Sequence, residues 1–419
     1  MNSRTRVNLA LNHIEPDHVP LDLGGSPTTG MHVSSVYILR QEFQLDPPGT
    51  PVKVVEPYQM LGEIGPDLID LLNVDVVYLG PPRTMFGYKN ENWKPWMLFD
   101  STPVLVPEKF NTEPEPNGDI LMYPEGDKAA PPSGRMPAGG FYFDSIVRQP
   151  PIDEARLDPD DNLEEFEYII EDDLAHFRTE AIRLHEETDK AILADFGGTA
   201  FGDISLVPAP FMKNPRGIRD ITEWYISTIT RQDYIYAIFQ RQCEIALANL
   251  EQIYDAVGDL IHVVFMTGTD FGMQTGLLTS PEVYRKLYKP FHLKLNDWVH
   301  RHTQWKTLNH SCGSVVALIP DFIEAGFDVL NPVQTSAAGM DPRELKQHYG
   351  DRITFWGGGV DTQGTLPFGT PDEVRAQVKE RIEIFSPNGG FVFNTIHNVQ
   401  AGIPRENLLA LYQAVADFR

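Results

Sequence analysis

The sequence predicts an α/β fold, a (β/α)8 barrel of TIM type that takes residues 1–419 as one domain. Three observations predict it. From about residue 160, short apolar runs alternate with amphipathic helices, the rhythm of right-handed βαβ units on a parallel sheet. About eight such runs can be found, the number that closes a barrel. Polar residues follow these runs by one to a few positions, where barrels of this kind carry their chemistry. An open doubly wound sheet is the alternative, but no GxGxxG fingerprint follows the first run.

In chain order, residues 4–12 read as a short helix, and Val19-Pro20-Leu21-Asp22-Leu23 as a strand broken by Gly24-Gly25-Ser26-Pro27. A helix over about 60–72 leads into Val74-Asp75-Val76-Val77-Tyr78-Leu79. Segment 81–148 has no helical period and is rich in Pro, Gly and aromatics. It reads as an insertion of hairpins and loops, either a lid or a scaffold, in which Tyr88, Trp93, Trp96, Phe99, Phe141 and Tyr142 could close over an apolar ligand. An acidic helix, 163–187, precedes the strand 191–196, and helices near 215–229 and 231–256 precede the strand 261–266. Ser280-Pro281 opens a helix over 281–302, with a cap followed by proline at the first position. Strand 305–310, helix 314–325, strand 329–331, a helix opened by Asp341-Pro342, strand 353–356, a helix near 371–386, strand 391–394 and a last helix, 404–418, complete the chain.

Composition narrows the function. The chain carries 59 acidic and 34 basic residues, a net charge of −25, which argues against a nucleic-acid binder and against an anionic membrane surface. No apolar stretch is long enough to span a bilayer and no signal peptide is evident, so a cytoplasmic protein is expected. Cys243 and Cys312 are the only cysteines, which makes no disulfide framework and suits a reducing compartment. Cys243 falls in the stripe Ile235, Phe239, Ala246, Leu250, Ile253 and reads as helix core. A homo-oligomer is compatible with the sequence, which does not fix its order.

The candidate chemistry centres on His310-Ser311-Cys312-Gly313. Residues i and i+2 of a strand share a face, so His310 and Cys312 present an imidazole and a thiolate together. That pair suits zinc; a buried cysteine beside a hydrogen-bonded histidine is the plainer alternative. His397, after the last strand, reads either as a third ligand or as a hydrogen-bond donor to substrate. Asp22, Asp195, Asp270, Gln274, Gln334, Asp361, Gln363 and Gln400 fall at the same strand ends and suggest a polar pocket. Asp270 and Gln274 are the candidate catalytic residues, and Asp270 and Asp361 are candidate fourth ligands. The run Gly357-Gly358-Gly359 either lets backbone approach a ligand or makes a tight bend, and Gly357, Gly358 and Asp361 are the candidate cofactor contacts.

Five further segments belong together: Ser3-Arg4-Thr5-Arg6-Val7 with Leu11-Asn12-His13 and Pro16-Asp17-His18-Val19-Pro20, Thr269-Asp270-Phe271-Gly272-Met273-Gln274, Ser280-Pro281-Glu282-Val283-Tyr284, Gly357-Gly358-Gly359-Val360-Asp361, and His397 with Ile403-Pro404-Arg405-Glu406-Asn407. Through them the chain resembles the uroporphyrinogen decarboxylase superfamily over nearly its whole length. The resemblance implies a (β/α)8 barrel and one of two chemistries. Metal-free decarboxylases of that family hold tetrapyrrole carboxylates with N-terminal arginines, and Leu21 to Gly30 contains none. Its zinc-dependent, corrinoid-linked methyltransferases carry His-x-Cys after a late strand, which His310 and Cys312 match, and a cysteine where this chain has His397, a position at which the decarboxylases also have a histidine. The resemblance implies a methyltransferase using zinc, with His310 and Cys312 at the family's ligand positions and His397 as the candidate third ligand or a substrate contact, with a small-molecule methyl donor (a methoxylated aromatic or another methyl ether or amine) and a corrinoid, cobalamin, carried by a partner protein. A metal-independent decarboxylase and a non-catalytic corrinoid- or tetrapyrrole-binding protein are the alternatives.

Overall fold

The computed structural model describes all 419 residues. Seven strands form one parallel sheet: Val76–Leu79, Ala191–Ala194, Val263–Thr267, Lys306–His310, Val329–Asn331, Thr354–Trp356 and Phe391–Val392. Their order in space is their order in sequence, each paired in parallel with the next. The expected strand at 19–23 closes the ring, but through a single bridge. Leu21 pairs in parallel with Phe393, the N–H of Asp22 donates to the Phe393 carbonyl at 2.8 Å, and the N–H of Asp75 donates to the Leu21 carbonyl at 2.7 Å. Two local facts keep the pairing this short. Pro20 has no N–H to give, and the N–H of Leu21 is taken by the Asp75 carboxylate at 2.9 Å. The result is the expected TIM-type barrel.

Inward-facing Val76, Ala191, Leu193, Val263, Leu308, Val329, Trp356 and Val392 pack with Val7, Ala10 and Leu11 of the helix Ser3–Leu11, which plugs the N-terminal end of the barrel. The outer faces of the strands pack on the helices, Cys243 among them. The opposite, C-terminal end is left for loops. No helix is long and apolar enough to cross a membrane.

Most helices fall where the sequence puts them, with revised starts. The acidic helix begins at Glu171 rather than 163, after a 3-10 turn at Pro159–Asn162. The side chain of Asn249 holds the intervening segment extended, accepting from Ile169 N and donating to Glu167 O. The helix expected from about 60 begins at Pro66, because Leu61–Gly62 is a strand. The helix Val33–Glu42 and the strand Val52–Glu56 were not anticipated.

The insertion is hairpins, as expected, but its borders are wider. Lys94–Met97 pairs with Pro103–Val106, which pairs with Val52–Glu56 and through it Leu61–Gly62. Ile120–Met122, Gly134–Met136 and Asp144–Ser145 form a second small sheet. Its aromatics mostly serve the unit itself. Tyr88 is buried beside Phe86, Trp96 packs on Phe110, Lys53 lies over Trp93, and Phe99 and Tyr142 face solvent. The Phe141 carbonyl lies 2.9 Å from His32 Nε2.

Candidate metal centre

The strand Lys306–His310 turns inward residues Leu308 and His310 at alternate positions, so His310 tops the barrel interior. Cys312 follows in the loop. His310 Nε2 lies 3.4 Å from Cys312 Sγ, and the ring of His397 stands edge-on to that of His310 at 5.4 Å between centroids. The ligand atoms of His310, Cys312 and His397 all lie within 4.8 Å of one another. His310 is buried and the other two are half-buried, at the C-terminal mouth.

Neighbours fix which nitrogen each imidazole offers. His310 pairs in register with Asn331 on the adjacent strand, and its Nδ1 sits 2.6 Å from Asn331 Oδ1. The Asn331 amide nitrogen donates to the Trp356 carbonyl at 2.9 Å, and Thr28 donates its hydroxyl to Asn331 Oδ1 at 3.2 Å. An oxygen is thereby aimed at His310, so Nδ1 carries the proton and Nε2 is the free donor. His397 repeats the device. Its Nδ1 lies 2.9 Å from Asn398 Oδ1, whose amide nitrogen donates to Gln59 Oε1 at 2.5 Å and to Pro27 O at 3.2 Å. Burial pushes both histidines down to about 4, so both are neutral at physiological pH.

The Cys312 loop is held from several sides. Ser311 N donates to Asn331 O, Phe271 N to Ser311 Oγ, and Gly313 N to Gln334 Oε1 at 2.7 Å. Gly313 has φ +86°, and a Cβ there would come 2.4 Å from the Gly272 carbonyl carbon, so no other residue fits. Asp270 Oδ1 accepts the Cys312 N–H at 2.6 Å. Burial, and then the negative charge of Asp270, push the Cys312 thiol up, and burial raises Asp270. Burial likewise raises Asp203 to about 7, with Asp270 and Asp195 adding to it, and Asp195 to about 6. The titratable groups acting on Asp270, Cys312 and His397 are carboxyl groups and the two neutral histidines, with no lysine or arginine among them. Such a mouth favours a cation.

The other expected residues divide. Gln274 is exposed at the rim, where its Nε2 donates to Gln363 Oε1 at 2.8 Å, and Gln334 joins the same oxygen at 3.5 Å. Asp22 is buried and is not among the three grouped donors; it accepts from Trp356 Nε1 at 2.7 Å and Gly25 N at 2.8 Å, and burial raises it to about 6. Asp361 caps its own loop by accepting Gln363 N at 3.0 Å, and it is not among the three grouped donors. Gly357 and Gly358 do have backbone close by, but it is the protein's own: a Cβ would meet Thr395 O at 3.0 Å and Val333 O at 2.9 Å. Gln400 donates to Asn398 Oδ1. Sequence reasoning missed Asn331, Asn398 and Thr28. Asn331 ends an apolar strand, as His310 does, and that signal was available. A cleft of about 600 Å³ opens beside Phe196, Gly197 and Gly198, just past the strand Ala191–Ala194; its lining does not include the three donors.

Fold and donor set together define a TIM-type barrel with a candidate metal centre at its C-terminal mouth. Residues 149–418 match the family described as Uroporphyrinogen decarboxylase (URO-D), and the chain belongs to that family. Among solved structures, a methyltransferase from Methanosarcina mazei shares the fold, with a TM-score of 0.54 at 16% identity, covering 100% of this chain and 99% of that one. No curated protein matches the sequence.

Proposed function

We propose that this chain is a zinc-dependent methyltransferase that moves a methyl group from a methylated small molecule to a corrinoid carried by a partner protein. The observation that carries the reading is the grouping of His310, Cys312 and His397. Two nitrogens and one sulfur suit zinc and leave one of its usual four positions for substrate. The donor chemistry fits further. Asn331 and Asn398 occupy both Nδ1 atoms, which leaves each Nε2 as the nitrogen for a metal, that of His310 facing the Cys312 thiol at 3.4 Å, and a thiol among carboxyl groups lacks a counter-charge that a divalent cation supplies.

Zinc, when bound, supplies Lewis acidity that makes the substrate's heteroatom a better leaving group. The protein's own part is to orient and to shield. Asn331 and Asn398 aim the imidazoles, Asp270 holds the Cys312 backbone, and Phe265, stacked 6.2 Å from His310, keeps one wall apolar. A mouth whose charges are carboxylates disfavours a carboxylated substrate and suits a neutral ether or an amine. This is why the methyl-transfer reading stands ahead of decarboxylation, together with the structural likeness to a methyltransferase.

The test is metal content. Protein purified without added metal is expected to hold about one zinc per chain and the Cys312→Ser variant markedly less. The native form is then expected to methylate reduced cobalamin from an aryl methyl ether or methylamine. A native protein that takes up no zinc under reducing conditions would overturn the proposal and put the metal-free decarboxylase ahead.

A further inference from the structure

We infer that Asn331 and Asn398, joined through the turn Ser26–Thr29, are positioning residues that lock both imidazoles of the metal centre from one shared piece of backbone. The inference rests on the metal-centre reading and adds how the site is organised. His310 and His397 lie on different strand ends, 87 positions apart by number, yet their partners meet at one place. Thr28 donates to Asn331 Oδ1, the atom that faces His310. Asn398 donates to the carbonyl of Pro27, the preceding residue, while its Oδ1 faces His397.

The turn itself is tightly made. Pro27–Thr29 is one turn of 3-10 helix, with Ser26 N donating to Thr29 Oγ1 at 3.0 Å and the hydroxyls of Ser26 and Thr28 paired at 2.8 Å. Gly24 N donates to Thr29 O and Asn394 Nδ2 to both Asp22 O and Thr29 O, tying it to the strand ends on either side. Asn331 is 1% exposed and Asn398 0%, so neither can exchange these partners for water. Each amide has its nitrogen committed to a backbone carbonyl, which is what forces its oxygen toward the imidazole. The N-terminal turn is thereby part of the metal centre's support, although it contributes no ligand.

Zinc affinity, measured by competition with a chromophoric chelator, and the visible spectrum of the cobalt-substituted protein report this directly. Asn331→Ala and Asn398→Ala are expected to weaken zinc binding roughly 10- to 100-fold, and Asn331→Asp, which keeps an acceptor at the same place, to recover most of it. Thr28→Val, at a half-exposed position that should fold normally, is expected to weaken zinc several-fold and to shift the cobalt bands. Wild-type affinity and an unchanged cobalt spectrum in folded Thr28→Val and Asn398→Ala would overturn the inference while leaving the metal centre intact. A wild-type protein that binds neither ion would instead overturn the metal reading, and this inference with it.

Discussion

Asp270 separates two roles that one side chain can play at this centre. Its Oδ1 accepts the Cys312 N–H at 2.6 Å, which is a structural service, and its charge bears on the Cys312 thiol, which is an electrostatic one. An asparagine keeps the first and removes the second, since its amide oxygen still accepts an N–H. We expect Asp270→Asn to retain about one zinc per chain and Asp270→Ala to bind zinc at least ~10-fold more weakly, because the Ala form leaves a buried N–H unpaired and the loop free to shift. Equal affinity in the two variants, read by chelator competition, would remove the structural role. At this scale the sequence was informative where the grouped donors lie close along it. His310 and Cys312 were legible from their i, i+2 spacing, and His397 from its place after a strand. Asn331 carried the same strand-end signal as His310, but its pairing with His310 is set by register across strands, and nothing in the sequence says that Asn398, beside His397, turns its oxygen to that ring.

At the level of elements, the helix Lys289–His302 presents His292 into a nest of Phe201, Phe271, Tyr284, Tyr288 and Phe327. Nδ1 meets the Tyr284 hydroxyl at 3.1 Å, Nε2 has no partner, and burial pushes the group down to about 3. A histidine depressed in the folded state contributes stability that is present above its unfolded value, near 6.5, and is lost as pH falls below it. Between pH 7.5 and pH 5 the loss from His292 amounts to about 2 kcal/mol. In His292→Phe that part of the loss is absent, so denaturant unfolding should show the variant gaining on wild type as pH is lowered. An identical fall in both proteins would refute the assignment. The elements themselves were readable wherever apolar period and caps agreed, as at Thr370, whose side chain and that of Glu373 cap the helix Pro371–Phe385 reciprocally. They were misread where a distant side chain decided the matter. Asn249 delays the acidic helix, and Asp75 reduces the expected first strand to one bridge.

For the whole molecule, the open question in the sequence was whether segment 81–148 is a lid or scaffold, since composition marks a Pro- and aromatic-rich insertion without saying what it packs against. The barrel was legible because its strands alternate with its helices; the insertion's hairpins were legible too, but not what they pack on, because their strand partners at 52–62 lie outside the segment and are too short to show a period. The structure joins it to the main body. Phe86, Tyr88, Val104, Val106, Phe110, Ile120, Met122, Met136 and Phe143 are buried in the same apolar cluster as the outer faces of the barrel strands. Val54 and Met60 continue that cluster toward Val33 and Val36 of the first outer helix. A hinged lid would expose this surface on opening, and the cost of wetting several full aromatic side chains, roughly 1.5–3 kcal/mol each, makes frequent opening unfavourable. Amide hydrogen exchange should therefore protect Val104, Val106, Ile120 and Met122 to a degree comparable with Leu193 and Leu308 in the barrel, and ligand should not change it. Exchange of those four amides within seconds, slowed when a methyl donor and zinc are added, would show the insertion to be a lid after all and would give its exposed Phe99 and Tyr142 a part in closing over substrate.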